Sequence, residues 1–455
     1  MPMIGNQDTI CALATPNGIG AIGVIRLSGA DAWSITSKLF SKDLKDKQSH
    51  TVHFGTITSP KGELLDEVLV TLFSVGKSYT GEESVEISCH GSSFILSKII
   101  DAIIQSGARM ANPGEFTQRA FLNGKLDLSQ AEAVADLIAS QSRSAHDIAL
   151  KQLRGNFSNE LKDLRDKLIH FASLVELELD FAEEDVEFAD RTELKQLVSD
   201  VLIYVMRMAS SFELGNAIKN GVPVAIVGAP NTGKSTLLNQ LLGENRAIVS
   251  DIAGTTRDVI EETLNIDGIL FRLIDTAGIR EGAEEIEAMG IERSKEKIDQ
   301  AKIVLCLADA SSNVSVEEVQ NWSNDLLDSY PSKKIGVILN KMDLNSISSL
   351  NDNEIQISAK EGQNIEVLKT WLVDTFKGNF DMANETIVSN ARHHEALLKT
   401  AESLTQAKSG LETGITADFV AMDIRQAMFY LGSITGDIST DDLLGNIFAK
   451  FCIGK

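Results

Sequence analysis

The chain has 455 residues, too many for one ordinary core, and length alone points to about three domains. Its apolar and charged fractions, 43% and 24%, are those of a globular protein, and no apolar run approaches the ~20 residues of a membrane span. Met1 to Thr15 lacks a basic leader followed by an apolar run, so a secretory signal is not expected and a cytoplasmic protein without a membrane partner is. The formal net charge of -23 gives no support to a nucleic-acid function, because proteins that grip phosphates show a basic face; RNA contact would need local patches or a partner's surface. Cys11, Cys89, Cys306 and Cys452 are scattered, with no close pair for zinc and too few for a disulfide scaffold; the first three read as reduced thiols.

Residues 1 to about 120 read as mixed strand and helix. Thr9–Ala14, Ala21–Leu27, Val68–Phe73 and Ser84–Ser88 are short β-favouring runs, and Ser92–Gln105 is a helix to pack on them. From Asp127 the pattern changes. Ser129 with Glu132 suggests a capping box, followed by an Ala-rich run. Leu161, Leu164, Leu168, Phe171, Val175 and Leu179 then fall at three- or four-residue steps, one apolar helix face in a helical region expected to end near Gly215. Residues 217 to about 379 alternate strand and helix. Val222–Val227, Leu270–Ile274, Ile303–Leu307 and Ile335–Leu339 are continuous apolar runs, as parallel strands buried on both faces require. From about 380 the chain is helical again, with Leu397, Leu404 and Leu411 on one stripe, and this segment is expected to pack on residues 121–215. The expected organisation is multidomain. An α+β N-terminal domain (1–120) precedes a discontinuous all-α domain (121–216 and 380–455), which an α/β P-loop domain of the Ras-like class (217–379) interrupts.

The run GAPNTGKS (Gly228–Ser235) follows an apolar strand and opens a helix, the context a P-loop requires. Its glycines let backbone amides turn toward phosphate oxygens, Lys234 reaches the terminal phosphates, and the Ser235 hydroxyl binds Mg²⁺. Four further elements follow in order. GTTRD (Gly254–Asp258) offers Thr256 to the metal. In DTAG (Asp275–Gly278), Asp275 can hold Mg²⁺ through water and the Gly278 amide can sense the γ-phosphate. NKMD (Asn340–Asp343) ends a strand, and the Asp343 carboxylate accepts hydrogen bonds from N1 and N2 of guanine. Adenine lacks that donor pair, so ATP would leave a buried charge unpaired. SAK (Ser358–Lys360) would contact the base edge by a backbone amide. Five such elements in order, each at a strand end, specify GTP binding.

Hydrolysis is less plainly written. Many small GTPases carry, directly after the DxxG glycine, a glutamine that orients the attacking water; here the position is Ile279. Either hydrolysis is vestigial or another group orients the water. On physics alone the acidic stretch Glu281–Glu287 that follows reads as a solvated charge run.

These motifs, the insertion of the P-loop segment in a helical domain, the N-terminal segments ATPNGIGAIGVIRLSG, TGEESVEISCHG and NPGEFTQRAFLNGKLDLSQAEAVADLI, and the terminal FCIGK (Phe451–Lys455) together resemble the MnmE (TrmE) family of tRNA modification GTPases over the whole chain. The resemblance implies a homodimer that works with an FAD-dependent partner, MnmG, in a heterotetrameric complex. Together they place an aminomethyl or carboxymethylaminomethyl group on C5 of the wobble uridine, position 34, of certain tRNAs, using a one-carbon unit from a tetrahydrofolate. It implies GTP hydrolysis that depends on potassium and on pairing of two G domains, with K⁺ held by Asn231, Ser250, Ile252 and Thr255 where an arginine finger would otherwise lie. It assigns the water-orienting role to Glu287, which reverses the bland reading of that residue.

The nucleotide set implied is Asn231, Thr232, Gly233, Lys234, Ser235 and Thr236; Ser250, Asp251, Ile252, Ala253, Gly254, Thr255 and Thr256; Asp275, Thr276, Ala277 and Gly278; Asn340, Lys341 and Asp343; and Ser358, Ala359 and Lys360. The family's folate site carries over to Arg26, Glu86 and Lys125, with Lys455 nearby. A pterin shows the same 2-amino-pyrimidinone edge as guanine, so Glu86 can make the paired contact, while Arg26 and Lys125 meet the glutamate tail. Cys452 becomes a functional cysteine near that site; whether it is a nucleophile stays open. His90, His393 and His394, with no partner visible, read as structural or surface histidines. The competing reading is a nucleotide-gated ribosome-assembly GTPase without modification chemistry.

Overall fold

The computed structural model describes residues 8–180, 191–245, 262–274, 295–345, 354–377, 385–413, 415–451 and 453–454. Two compact units are present: Met1–Ala135, Gln152–His170 and Met428–Lys455 in one, Asp136–Lys151 and Phe171–Ala427 in the other. The chain is thus multidomain, with an α+β N-terminal part, helical segments on both sides of a P-loop α/β part, and two separate sheets. Among the described residues no helix is long and apolar enough to cross a membrane.

In the first unit, strands β1 (Ile10–Leu13), β2 (Ile22–Ser28), β3 (Thr51–Thr58), β4 (Leu64–Phe73), β5 (Ser84–His90) and β6 (Arg109–Met110) form one sheet in the order β3-β4-β5-β2-β1-β6. All pairs are antiparallel except β1 with β6. Side chains alternate along the strands. Ile25 and Leu27 of β2, Val85 and Ile87 of β5, and Val68, Val70 and Leu72 of β4 are buried in a core shared with α1 (Ala32–Leu39) and α2 (Ser93–Gln105). The intervening residues, Arg26 and Glu86 among them, project from the other face. There Phe116 of α3 (Glu115–Leu122) packs with Ile10, Ala12 and Ala111.

The helical segments are α4 (Leu128–Ala139), α5 (Arg143–Leu153), α6 (Asn156–Asp180), α7 (Arg191–Ser210) and α8 (Phe212–Asn220). The capping box that begins α4 is displaced by two residues from the one expected. The Gln130 N–H donates to Asp127 Oδ1 at 2.9 Å, and the Asp127 N–H donates back to Gln130 Oε1 at 2.9 Å. Ser129 lies inside the helix, its hydroxyl shared between Asp127 and Ser158. Asp127 wins because it directly precedes the first apolar residue, Leu128. Leu161, Leu164 and Leu168 are buried on α6 as the stripe requires; the Val175 and Leu179 side chains lie outside those described.

Gly215 does not end the helical region. It sits inside α8, where a Cβ would collide with the Val388 carbonyl, so a close backbone approach explains it; α8 stops at Gly221, φ 78°. The last segment is divided between the units. In α12 (Ala391–Thr413), Leu397, Leu404 and Leu411 are buried and the helix packs along α7, as expected. In α14 (Asp441–Phe448), Leu444 and Phe448 cluster with Leu128 and Ala131. The intervening helix is α13 (Ala417–Thr435).

The α/β part is a six-stranded sheet of β7 (Val222–Gly228), β8 (Glu262–Ile266), β9 (Ile269–Leu273), β10 (Ile303–Asp309), β11 (Lys334–Asn340) and β12 (Glu354–Gln356) in the order β12-β11-β10-β7-β9-β8. Every pair is parallel except β8 with β9, which an Asp267-Gly268 turn joins with φ 49° and 86°. Its helices include α9 (Lys234–Asn245), α10 (Asn313–Ser329) and α11 (Ile365–Lys377). Val224, Ile226, Leu305, Leu307, Phe271 and Leu273 meet Leu237, Leu241, Leu368 and Leu372 on one side. Ala225, Val227, Val304, Cys306 and Val337 meet Val316 and Val319 on the other. The runs are continuously apolar because both faces are covered.

Candidate functional site

Register brings the ends of four parallel strands to one edge. Gly228 pairs with Leu307, Asp309 with Asn340, and Leu339 with Gln356. Strand order branches at β7, with β9 and β8 on one side of it and β10, β11 and β12 on the other, and ligands of such sheets bind outside the strand carboxyl ends at that point. The loop leaving β7 enters α9 at Lys234 and carries positive φ at Asn231 (63°) and Gly233 (97°). Such a turn aims successive N–H groups inward, and the start of α9 adds the positive end of a helix dipole.

Lys234 folds over this loop and donates from Nζ to the carbonyls of Gly228 and Ala229, both at 2.8 Å. Burial, with the charge of Lys297 adding to it, pushes its pKa down. The Thr232 hydroxyl donates to the Ala229 carbonyl at 2.9 Å and closes the loop on itself. Gly233 is needed where it is, since a Cβ there would meet the Asn340 amide nitrogen.

That amide ties three motifs together. Asn340 Nδ2 donates to the Thr232 carbonyl at 2.8 Å, and Asn340 Oδ1 accepts the Ala359 N–H at 2.9 Å. Asn340 is 3% exposed, so losing either partner would strand a buried polar group. Asp343 Oδ1 accepts from the Ser358 hydroxyl at 2.6 Å, and the Glu361 N–H donates to the same hydroxyl oxygen at 3.2 Å. Lys341 reaches Asp309, with Nζ 2.6 Å from Oδ2. Sequence reasoning placed Asn340 among nucleotide contacts; the structure makes it the clamp between the P-loop and the SAK turn. Asn340 ends β11, and Asn231 through Thr236, Lys341, Asp343 and Ser358 through Lys360 lie in these loops or the first turn of α9. Ser250 through Thr256, Asp275 through Gly278, and Glu287 lie outside the described residues.

On the N-terminal sheet Arg26 and Glu86 are direct cross-strand partners. Arg26 Nε and Nη2 donate to the same Glu86 oxygen, at 3.0 and 2.8 Å. The guanidinium lies 5.7 Å from the Tyr79 ring centroid and 5.8 Å from that of Phe116. Neither ring carries a sequence signal for this role. Lys125 Nζ donates to the Gly76 carbonyl at 2.6 Å instead of joining the pair. Gly454 approaches the Leu13 carbonyl closely, which brings the tail to the end of β1, beside β2; Cys452 and Lys455 lie outside the described residues.

The histidines acquire partners. His90 Nδ1 lies 2.7 Å from Asp66 Oδ1, and the His90 N–H donates to Asp66 Oδ2 at 2.8 Å. Burial opposes ionisation of Asp66, but these bonds and the Glu67 N–H hold its carboxyl below the usual range. His393 is buried, and His394 stacks on Phe212 at 4.3 Å. Cys11, Cys89 and Cys306 are free thiols, as expected, and buried, and burial raises the first two to about 11 and the third to about 12.

Comparison with known proteins agrees with this arrangement. The family model "GTP-binding protein TrmE N-terminus" matches residues 9–125, and "MnmE helical domain" matches residues 128–452. A protein of Flavobacterium johnsoniae named tRNA modification GTPase MnmE is 53% identical, over 99% of this chain and 100% of its own length. Proteins of the same name are 53% identical in Cytophaga hutchinsonii, over 99% of this chain and 98% of theirs, and 51% identical in Bacteroides thetaiotaomicron, over 99% and 100%. A solved complex of Era with MgGDPNP and nucleotides 1506–1542 of 16S ribosomal RNA shares 27% identity over 40% of this chain and 65% of that one, at a TM-score of 0.24, too low to bear on the fold.

Proposed function

The chain belongs to the MnmE family of tRNA modification GTPases, and on that premise we propose that it hydrolyses GTP to drive modification of tRNA. The observation that carries the nucleotide half of this reading is the Asn340 clamp, which joins the phosphate loop to the SAK turn beside the Asp343–Ser358 pair. Inward amides of residues 231–235 and Lys234 hold the β- and γ-phosphates. Asp343 accepts from guanine N1 and N2 with its orientation preset by Ser358. Among the described residues, the Ser235 hydroxyl at the start of α9 suits a hard, oxygen-seeking cation. Mg²⁺ held by Ser235 and Thr256 would offset phosphate charge, and K⁺ held by Asn231, Ser250, Ile252 and Thr255 would add to that. Glu287 is the proposed water-orienting group in place of the missing glutamine.

The finer reading follows the family. The chain is organised as 1–120, 121–216, 217–379 and 380–455, acts as a homodimer in the cytoplasm, and works with an FAD-dependent MnmG-like protein. The product is an aminomethyl or carboxymethylaminomethyl group on C5 of the wobble uridine. Glu86 would make the paired contact with a pterin and Arg26 and Lys125, with Lys455 nearby, would meet the glutamate tail, so that a tetrahydrofolate bound there would supply the one-carbon unit. Cys452 lies in the same terminal run as Lys455. Wobble-uridine analysis of tRNA from cells lacking this protein tests the reading: loss of the C5 group is expected, and unaltered uridine overturns it. In vitro, Na⁺ in place of K⁺ should lower GTP turnover substantially, and equal rates would remove Asn231 from the proposed potassium set.

A further inference from the structure

Asp309 ends β10 directly opposite Asn340, and its carboxylate is fixed on one side before it meets any lysine. Oδ1 accepts from the Ser311 N–H at 2.9 Å and the Ser311 hydroxyl at 2.6 Å, while the Asp309 N–H donates to Ser315 Oγ at 3.2 Å. The loops after β10 and β11 are stitched again nearby. The Ala310 N–H donates to the Asn340 carbonyl at 2.8 Å, and Asn345 Nδ2 donates to the Ala310 carbonyl at 3.1 Å. Oδ2 is left aimed at Lys341, 2.6 Å from its ammonium.

Lys341 itself stands at φ 67°, a left-handed conformation disfavoured outside glycine and kept only where surroundings over-determine it. Exposed ion pairs between two mobile side chains contribute little. Here the acid is immobilised by its own loop, and the side chains are only 32% and 21% exposed. Burial opposes its charge, yet the bonds from Lys341 and Ser311 hold the Asp309 carboxyl below the usual range, so it is an anion at neutral pH.

We propose that Asp309 is a positioning residue for guanine-nucleotide binding: it draws the Lys341 ammonium to the end of β10, so that the lysine stem stands as a preformed wall of the base slot between Asn340 and Asp343. The inference rests on the nucleotide-site reading above and adds a residue to it. A side chain ordered before binding loses less freedom when ligand arrives, so the gain appears as slower release.

The test is GDP binding and release by the full chain, followed with a fluorescent nucleotide, in Asp309→Asn, Lys341→Met and the double variant. Asp309→Asn should raise Kd about tenfold, or about 1.4 kcal/mol, mostly through faster release. In turnover the loss should fall on KM for GTP more than on kcat. Methionine keeps an unbranched stem but cannot pair, so the double variant should bind no worse than Lys341→Met alone, whereas independent structural damage would add. Additive losses, or Asp309→Asn binding within twofold of the parent, overturn the inference. Asp343→Asn separates the two levels. If it also binds GDP like the parent, the nucleotide-site reading fails and takes this inference with it. If it loses GDP while Asp309→Asn does not, only the inference fails.

Discussion

Arg119 in the N-terminal unit and Lys234 in the P-loop are both sheltered cations, yet they are satisfied in opposite ways. Arg119 is 3% exposed; it donates to Asp8 at 2.8 Å and Glu115 at 2.9 Å, and reaches Glu82 at 3.2 Å. Arg109 closes the network, bonding the Glu115 carboxylate at 2.6 and 2.8 Å and Asp8 at 2.6 Å. Three carboxylates surround two guanidinium groups, so the cluster has no electrostatic appetite left. Lys234 donates instead to two neutral carbonyls, and burial depresses its pKa. A cation held by dipoles in a ring of inward amides gains most from an anion that arrives from outside. The first arrangement fastens a fold, and the second awaits a phosphate.

Breaking each cluster should therefore give different readouts. The largest effect is expected from Lys234→Ala, which should weaken GTP binding on the order of a hundredfold with little change in thermal unfolding of the free chain; nucleotide titration and calorimetry check it. Glu115→Ala leaves Arg119 with Asp8 and Glu82, and Arg109 with Asp8 as its one remaining carboxylate, and losing these charged bonds should cost about 2 kcal/mol of stability by denaturant unfolding. GTP affinity should be unchanged in that variant.

The same network predicts an acid transition. Burial opposes ionisation of Glu115, but Arg109, the Asn112 N–H and Arg119 outweigh it and hold its carboxyl below the usual range; Asp8 is lowered the same way by Arg109 and Arg119. The unfolded chain thus binds protons first as pH falls. The stabilisation is full above the ordinary carboxylate range and is lost as pH drops through the depressed values. Glu115→Gln should flatten that dependence in unfolding measured from pH 6 to 3. Ser358→Ala is the smallest expected effect: losing the hydroxyl that orients Asp343 should weaken GTP binding about fivefold, roughly 1 kcal/mol.

How much of this was legible from residues alone follows the range of each interaction. The P-loop, NKMD and SAK are local: a strand, a turn and a few side chains adjacent in sequence, so spacing reveals them. Continuous apolar runs located β7, β10 and β11 for the same reason. The Arg119 network was hidden because it joins residues 8, 82, 109, 115 and 119, which only the folded sheet brings together. Asp66 beside His90 was hidden likewise. Strand β3 escaped because Val52 and Phe54 are exposed on an edge strand and Gly55 reads as a turn. That glycine is in the strand because Phe40 and Ser41 press on it, 2.6 Å from where a Cβ would stand. At α4 two good capping residues competed, and the pattern could not rank Asp127 over Ser129.

The central claim is that one edge of the α/β sheet selects guanine through Asp343 and holds phosphates through the loop at 228–235. Titration of the full chain with GTP and with ATP, each in Mg²⁺, tests it most directly. Preference for GTP by a thousandfold or more, on the order expected where a site built to pair with two donors meets a base that lacks them, is the predicted result. Equal affinity, or tighter binding of ATP, would contradict it.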